Sequence, residues 1–456
     1  MSRNLDLGKD NIWKLVLGLA IPTALAQAVT VLYAIVDRMF IGHMPLNGDI
    51  ALAGVGVASP ITTFISSFAT LIGMGASPIM AMKEGHGERK EAERIITTGF
   101  YLLLAVSSIL LPLFFFLRNP ILLAFGASSE TLPYASEYFA FYVLGTPFSL
   151  LATGLNSFLI NQGYSKRGMI SVLSGALLNI ALDPVFIFTL GMGVKGAAIA
   201  TVLSQILSSL IVISFLRSRN TSVRLHMSGF SKRLILPILK YGVSSFIIIS
   251  TDSILLIILN SVLQRYGGEE TGDLLITAAT IVQSYHILVT YPMGGMTAGC
   301  QGLASYNFGA GLTKRVGKTI NNLQIFITAY SVAMFFFTLS GSHLFASLFT
   351  SDEEMIALSS RYMFVFECMV IPLSFQYVNV DMMTALGEIR IALPLSLTRK
   401  ISFLIATVTL PVFLPASSAF LAEGISDLLS GLIGTLIMRK NLPGILQRRA
   451  KGDLRI

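Results

Sequence analysis

Residues 15–36 read LVLGLAIPTALAQAVTVLYAIV, a run of 22 residues without a charged side chain. At a rise of about 1.5 Å per residue, a helix of this length extends for about 33 Å, which matches the ~30 Å hydrocarbon core of a bilayer. A chain in lipid must satisfy its backbone hydrogen bonds internally. The run therefore predicts a transmembrane α-helix.

Eleven further apolar runs follow, which gives twelve predicted spans. They lie at about residues 14–40, 51–82, 95–117, 133–160, 168–190, 193–216, 234–262, 274–304, 317–340, 355–385, 392–411 and 416–438. Only 12% of the 456 residues are charged and 54% are hydrophobic, whereas soluble domains are about 25% charged. The sequence therefore predicts an all-α polytopic membrane protein and argues against a soluble enzyme.

Basic residues are unevenly distributed over the predicted loops. If both termini and the even-numbered loops face the cytoplasm, that side carries 25 of the 32 Lys and Arg residues. The opposite side carries only Arg38, Arg118, Lys195 and Arg265. This asymmetry follows the positive-inside rule and predicts a multi-pass protein of the cell (inner or plasma) membrane with both termini cytoplasmic. The net charge of +8 is then topological, and we expect no nucleic-acid partner.

Motifs of enzymes and of metal centres are absent from the sequence. Cys300 and Cys368 lie in apolar runs and the five histidines are scattered, so neither a disulfide framework nor a metal cluster is indicated. No P-loop is present, which argues against an ATP-driven exporter. No small-residue cleavage site follows the polar N-terminal segment, so we expect no removable signal peptide.

The two halves of the chain share a pattern. Gly73-Met74-x-Ala76 recurs as Gly295-Met296-x-Ala298 at an offset of 222, and Gly163 recurs as Gly387 at an offset of 224. An even number of spans per half predicts two six-helix bundles related by a pseudo-twofold axis along the membrane normal. The predicted domains are an N-terminal bundle (1–216), a cytoplasmic linker (217–233) and a C-terminal bundle with a basic tail (234–456). The alternative is chance similarity among apolar segments.

Three segments resemble the multidrug and toxic compound extrusion (MATE) family. Residues 21–44 read IPTALAQAVTVLYAIVDRMFIGHM, residues 177–205 read LLNIALDPVFIFTLGMGVKGAAIATVLSQ, and residues 304–311 read ASYNFGAG. The pattern resembles the bacterial branch that includes DinF- and MepA-like exporters more than the NorM branch.

The resemblance implies an ion-coupled antiporter that exports amphipathic, usually cationic drugs or metabolites by alternating access. It implies H⁺ or Na⁺ as the coupling ion and no other cofactor. We expect a monomer in membrane lipid, with a central cleft lined by spans one, two, seven and eight and open to one side at a time. The alternatives are a lipid-linked precursor flippase of the same superfamily and a channel or receptor-like protein. Such flippases usually have fourteen spans and a basic cleft.

Four polar side chains are the candidates for cation coupling, namely Asp37, Asn179, Asp183 and Thr201. Asn179 and Asp183 are four residues apart and share a helix face. The directions of the spans place the four at a similar depth in the outer half of the N-terminal bundle, and they coincide with cation-binding positions of the family. Two carboxylates with an amide and a hydroxyl can bind a proton or Na⁺.

These candidates also have purely structural interpretations. Asp37 would pair with Arg38 at the membrane interface, and Asp183 would stabilise a turn with Pro184. Asn179 and Thr201 would be buried polar packing. Pro22 removes a backbone hydrogen bond from span one and predicts a kink, which would be a hinge or a static bend.

The second half of the chain does not repeat the acid pair. At the repeat offset, Asp37 falls on Leu259 and Asp183 falls on Thr407. The remaining candidates for a substrate site or a polar network are Asp252, Tyr285, His286, Glu367, Asp381, Glu423 and Asp427. Structural ion pairs with Arg399 and Lys400 are the alternative for the acids. Tyr285 and other aromatics would stack on a flat cation or simply pack.

Overall fold

The computed structural model describes residues 6–452 except 45–47, 126, 128, 220, 350 and 351. These residues form fourteen α-helices and no strand. The helices are α1 (Ile12–Gly42), α2 (Gly48–Gly85), α3 (Arg89–Phe116), α4 (Arg118–Ala124), α5 (Leu132–Leu144), α6 (Thr146–Asn161), α7 (Ser165–Pro184), α8 (Gly193–Arg217), α9 (Ile235–Gly309), α10 (Thr313–Ala346), α11 (Glu353–Glu367), α12 (Val370–Ala385), α13 (Ile389–Phe413) and α14 (Leu421–Ala450).

The predicted count of twelve spans is confirmed. Ten helical segments of the described residues, with α9 counted as two, are long and apolar enough to cross a membrane. Two bent pairs of helices raise the number to twelve. The pairs are α5 with α6, bent by 58°, and α11 with α12, bent by 46°. The long helix α9 contains two spans, because its backbone leaves the helical region at Gly268 (φ 71°, ψ −170°). This conformation favours glycine, since other residues rarely adopt a positive φ.

The two bent spans occupy equivalent places in the two halves of the chain. The first bend lies at Gly145 and the second at Cys368–Met369. Pro147 and Pro372 lie in the first turns of α6 and α12. Proline has no backbone N–H and its ring collides with the carbonyl four residues earlier, so each helix stops before it and restarts at an angle.

The first and the last described residues lie at the same face of the molecule, which we call the terminus face. Arg315, after the turn between α9 and α10, donates hydrogen bonds to the carbonyls of Leu7 and Asp10, which precede α1. Arg449, near the end of α14, donates to the carbonyl of Phe308 at 2.7 Å. Residues 6–217 are called the N half and residues 232–452 the C half.

The backbones of the two halves approach each other at several glycines, and four of these, Gly75, Gly242, Gly295 and Gly299, are called the inter-half seam. A Cβ at Gly242 would collide with the carbonyl of Leu71, and one at Gly75 would collide with the carbonyl of Ile238. On the other side of the interface, a Cβ at Gly299 would lie 2.7 Å from the carbonyl oxygen of Leu19. All four glycines lie in the halves of their spans that are nearer the terminus face. The backbones of the two halves are therefore in direct contact on that side.

Candidate functional site

Helices α7 and α8 pack with their backbones close together because small residues line the interface. A Cβ at Gly196 would lie 2.8 Å from the carbonyl oxygen of Phe186. Ser171 and Ser208 exchange reciprocal hydrogen bonds of 3.0 Å from each hydroxyl to the other residue's carbonyl. This approach brings side chains of the middle of α8 against the end of α7.

The four candidate residues for cation coupling come together at this point. The Asn179 amide donates to Asp183 Oδ1 at 3.1 Å, and the same nitrogen lies 3.5 Å from Thr201 Oγ1. Asp37, on α1, has its carboxyl group close to that of Asp183. Asp37, Asn179 and Asp183 are 9%, 1% and 0% exposed. We call these four residues the N-half polar cluster.

When both acids are ionised, three buried oxygens of this cluster receive no hydrogen bond from the described residues, namely Asp37 Oδ1, Asn179 Oδ1 and Asp183 Oδ2. Leaving a buried polar atom unsatisfied costs about 1–3 kcal/mol, and native proteins rarely do so without a reason. Convergent carboxylate and amide oxygens are suitable ligands for a small hard cation. A carboxyl pair in contact also suits a shared proton. The donor set therefore fits either coupling ion.

The structure argues against the alternative interpretations of the two acids. Arg38 donates to Ser59 Oγ at 3.3 Å, and no ion pair within the described ranges joins it to Asp37. Asp183 lies inside α7 rather than in a turn, and a π-helical segment, Val185–Thr189, follows it directly. Pro184 supplies no N–H to the helix, and short π-helical segments of this kind are frequent at functional sites.

Three tyrosines border the cluster and were not predicted from the sequence. Tyr33 lies on α1 one turn before Asp37, and both Tyr33 and Tyr138 of α5 are within electrostatic range of that carboxylate. The rings of Tyr138 and Tyr142 are stacked with centroids 6.2 Å apart. Only the spacing of four between Tyr33 and Asp37 gave a signal, because it puts both on one helix face.

Helix α1 continues through Pro22 without a break. Proline cannot donate to the carbonyl one turn earlier. The next residue, Thr23, donates its hydroxyl to the carbonyls of Leu19 and Ala20, both at 2.9 Å. Pro22 therefore lies within the stretch of α1 that packs on the inter-half seam, since Leu19 contacts Gly299 and Ala24 contacts Gly295.

A second set of ionisable groups is buried in the C half. His286 Nδ1 lies 2.7 Å from Glu367 Oε1, and its Nε2 lies 3.5 Å from Glu423 Oε1. Arg399 pairs with Glu423 and donates from Nε to Asp427 Oδ1 at 2.8 Å. These five residues, from α9, α11, α13 and α14, are called the C-half charge network.

The other C-half candidates lie outside this network. Lys400 pairs with Asp252, whose side chain is 56% exposed. Asp381 lies beside Thr297 and Gln301 instead. Tyr285 is fully buried, its hydroxyl is 2.8 Å from Thr338 Oγ1 and its ring stacks on Phe337. In this conformation Tyr285 packs between helices, so the proposal that it stacks on a substrate is not consistent with its burial.

The sequence pattern of the MatE family matches two stretches of the chain, residues 22–185 and 245–409. The two matches begin 223 residues apart (245 minus 22), close to the offset at which the glycine motifs recur. One family pattern thus describes both halves.

Curated relatives match over most of their length. The chain is 24% identical over 419 residues to the multidrug export protein MepA of Staphylococcus haemolyticus strain JCSC1435, covering 91% of this chain and 90% of that protein. It is 25% identical over 357 residues to MepA of Staphylococcus aureus strain N315, covering 77% of each.

Among solved structures, the chain is similar to an outward-facing conformation of a multidrug resistance MATE family transporter of the MOP superfamily. The TM-score is 0.90 at 22% sequence identity, and the match covers 98% of this chain and 99% of that one. At this identity the similarity establishes the twelve-helix fold.

Proposed function

Because this chain belongs to the MatE family, we propose that it is an antiporter that exports small amphipathic cations in exchange for H⁺ or Na⁺ by alternating access. The observation that carries the proposal is the N-half polar cluster, with two carboxyl groups and three unpartnered oxygens buried in membrane-spanning helices. Ionisable residues at such a depth are costly and mark ion or substrate pathways.

The contact between the two carboxyl groups favours H⁺ as the coupling ion. Ionised carboxylates only accept hydrogen bonds, so Asp37 and Asp183 can bond to each other only when one of them is protonated. Loss of that proton leaves two like charges in contact in a medium of low dielectric constant. The cluster thus has two charge states that differ in how strongly they hold α1 against α7.

The inter-half seam supports an outward-facing arrangement. It closes the terminus face, and the excess of basic residues in the loops on that side supports a cytoplasmic orientation. In alternating access the opposite side is then open. We expect the substrate cleft to lie between α1, α2 and α9 on that side.

Helix α1 supplies a direct connection between the cluster and the seam. Leu19, which contacts Gly299, lies on the same helix as Asp37. The two residues are 18 positions apart, which corresponds to about 27 Å along the helix axis. An ion can shift the balance between two conformations only through different affinities for them. A change of charge at Asp37 would meet this condition if it moved α1. The helix would bend most easily at Pro22, where a backbone hydrogen bond is missing.

Efflux of a fluorescent cationic dye from proteoliposomes, under separately imposed gradients, tests the proposal. We expect a pH gradient in Na⁺-free buffer to drive dye movement, and a Na⁺ gradient at equal pH to have little effect. The reverse result would make Na⁺ the coupling ion. Dye movement that neither gradient accelerates would refute ion-coupled antiport.

A further inference from the structure

Arg315 binds the backbone of the segment that precedes α1. Its Nη2 donates to the carbonyls of Leu7 and Asp10, both at 2.9 Å, and its Nε donates to Asn307 Oδ1 at 2.9 Å. Asn307 belongs to the YNFGAG turn at the end of α9, a motif to which the antiport proposal assigns no role. One guanidinium therefore joins the C half to the start of the N half.

Asn307 makes the same connection from α9. It is fully buried, and its amide nitrogen donates to the carbonyl of Leu7 at 3.0 Å and to the carbonyl of Leu303 at 2.8 Å. The carbonyl of Leu7 thus accepts hydrogen bonds from two C-half side chains. These two bonds fix its position.

The segment before α1 is also tied to the N half. Asn11 caps α1 by accepting a hydrogen bond from the Trp13 N–H at 2.9 Å. The buried Leu7 side chain lies against the turn between α6 and α7, where a Cβ at Gly163 would be 3.0 Å from it. The segment therefore moves with the N half when the two halves separate.

A second connection between the halves lies beside the first. His86, in the turn after α2, has Nδ1 3.3 Å from the carbonyl oxygen of Gly309 and 3.3 Å from Arg449 Nη2. Arg449 is itself only 6% exposed and caps the end of α9 through the carbonyl of Phe308. Cationic groups stabilise the carbonyl end of a helix, so this arrangement is favourable while the terminus face is closed.

We propose that Asn307 and Arg315 form a latch that grips the backbone of Leu7 and Asp10 and sets the closed terminus face as the resting state. The inference rests on the alternating access proposed above. Opening of this face must break the bonds to Leu7 and Asp10, whereas the bond between Arg315 and Asn307 lies within the C half and persists. The broken bonds are charge-assisted or buried, which are the more stabilising kinds.

Distances between spin labels on the two halves test the latch. Lys166 and Arg390 are exposed and begin α7 and α13 at the terminus face, so cysteines there report its opening after Cys300 and Cys368 are replaced by alanine. We expect one short-distance population in the parent protein. Arg315→Gln should raise the ratio of long to short distances about tenfold or more, since one hydrogen bond to a charged group exceeds the ~1.4 kcal/mol of a tenfold change.

Lys314→Gln is the matched control, because Lys314 is the exposed neighbour of Arg315 and the same charge is removed. Asn307→Asp is a second variant, which retains the acceptor for Arg315 but loses the donor to Leu7; it should shift the distances in the same direction. It decides the outcome if Arg315→Gln does not elute as a folded protein.

The latch and the transport function can fail separately. Distances in both latch variants that equal those of Lys314→Gln, while the parent protein exports dye, would refute the latch alone. Shifted distances in a protein that exports no dye under either gradient would leave the latch standing and refute the proposed antiport.

Discussion

His86 Nδ1 lies 3.3 Å from the carbonyl oxygen of Gly309, and the two residues are 223 positions apart in the chain. The two MatE matches begin at the same interval. In a duplicated chain, a contact at the repeat interval joins nearly equivalent positions, and such positions can touch only beside the axis that relates the two halves. The pseudo-twofold axis therefore passes between α2 and α9 at the terminus face.

Asp37→Asn and Asp183→Asn should each reduce gradient-driven dye efflux to the level of empty liposomes. An amide keeps the shape of the side chain but neither releases a proton nor carries a full charge, so the two conformations lose their difference in ion affinity. Both variants should elute as folded protein. Glu130→Gln, which neutralises an exposed acid, should transport normally. Efflux at the wild-type rate by both Asn variants would refute the assignment of ion coupling to the N-half polar cluster. The C-half acids, first Asp252, would then be the candidates.

Gly196→Ala should lower the melting temperature and weaken efflux. The added methyl group would lie 2.8 Å from the Phe186 carbonyl oxygen, so α8 must move away from the π-helical segment that follows α7 and carry Thr201 with it. Overpacking of this kind costs about 1–3 kcal/mol. Gly444→Ala in α14, where a Cβ meets nothing within 4 Å, is the control. Equal melting temperatures for the two variants would show that the α7–α8 contact can relax.

Arg399→Met should destabilise the protein by about 3–5 kcal/mol, because it leaves Glu423 and Asp427 buried without their cation. Adding Glu423→Gln and Asp427→Asn should recover most of the loss. The comparison is Arg448→Met, whose pair with Glu388 is exposed and worth about 0–1 kcal/mol. Thermal unfolding in detergent measures the stability of the parent protein and of the three variants. Similar effects of the two single Met variants would mean that the C-half charge network is well hydrated.

Pro22→Ala should leave the protein folded and slow its efflux. Alanine supplies the N–H that proline lacks, so α1 gains a hydrogen bond and stiffens where it packs on the seam. The melting temperature should stay equal or rise. Pro112→Ala in α3 is the control, since that helix carries no residue of the N-half polar cluster. Unchanged efflux in Pro22→Ala would identify the proline as a static feature.

The span count could be predicted because each span is a long apolar run, but helix ends and bends could not. Helix α3 starts at Arg89, whereas the apolar run predicts a start near residue 95, because the first turn is charged and extends beyond the hydrocarbon. The single predicted span at about 133–160 is two helices bent at Gly145. Hydropathy predicts the length of an apolar segment, but it does not predict where the helix axis bends within that segment.

The N-half polar cluster could be anticipated because helical rise places its members at one depth and because they match the cation-binding positions of the family that the sequence resembles. Rotation about the helix axis is set by packing, which a single sequence does not reveal. For this reason the aromatic neighbours on α5 were missed. For the same reason Asp381 was grouped with acids that it does not meet, and the sequence could not decide whether Tyr285 stacks on a cation or packs between helices.

The inter-half seam has a consequence for the entropy of the proposed alternating-access cycle. At Gly75, Gly242, Gly295 and Gly299, main chain meets main chain. Glycine has no rotamers, so separation along this line releases no side-chain freedom there and renewed contact has none to restrict. The glycines themselves have no side chain to repack when the two backbones separate or return to the same register. Many rounds of opening and closing can then follow one another without a search for the correct fit.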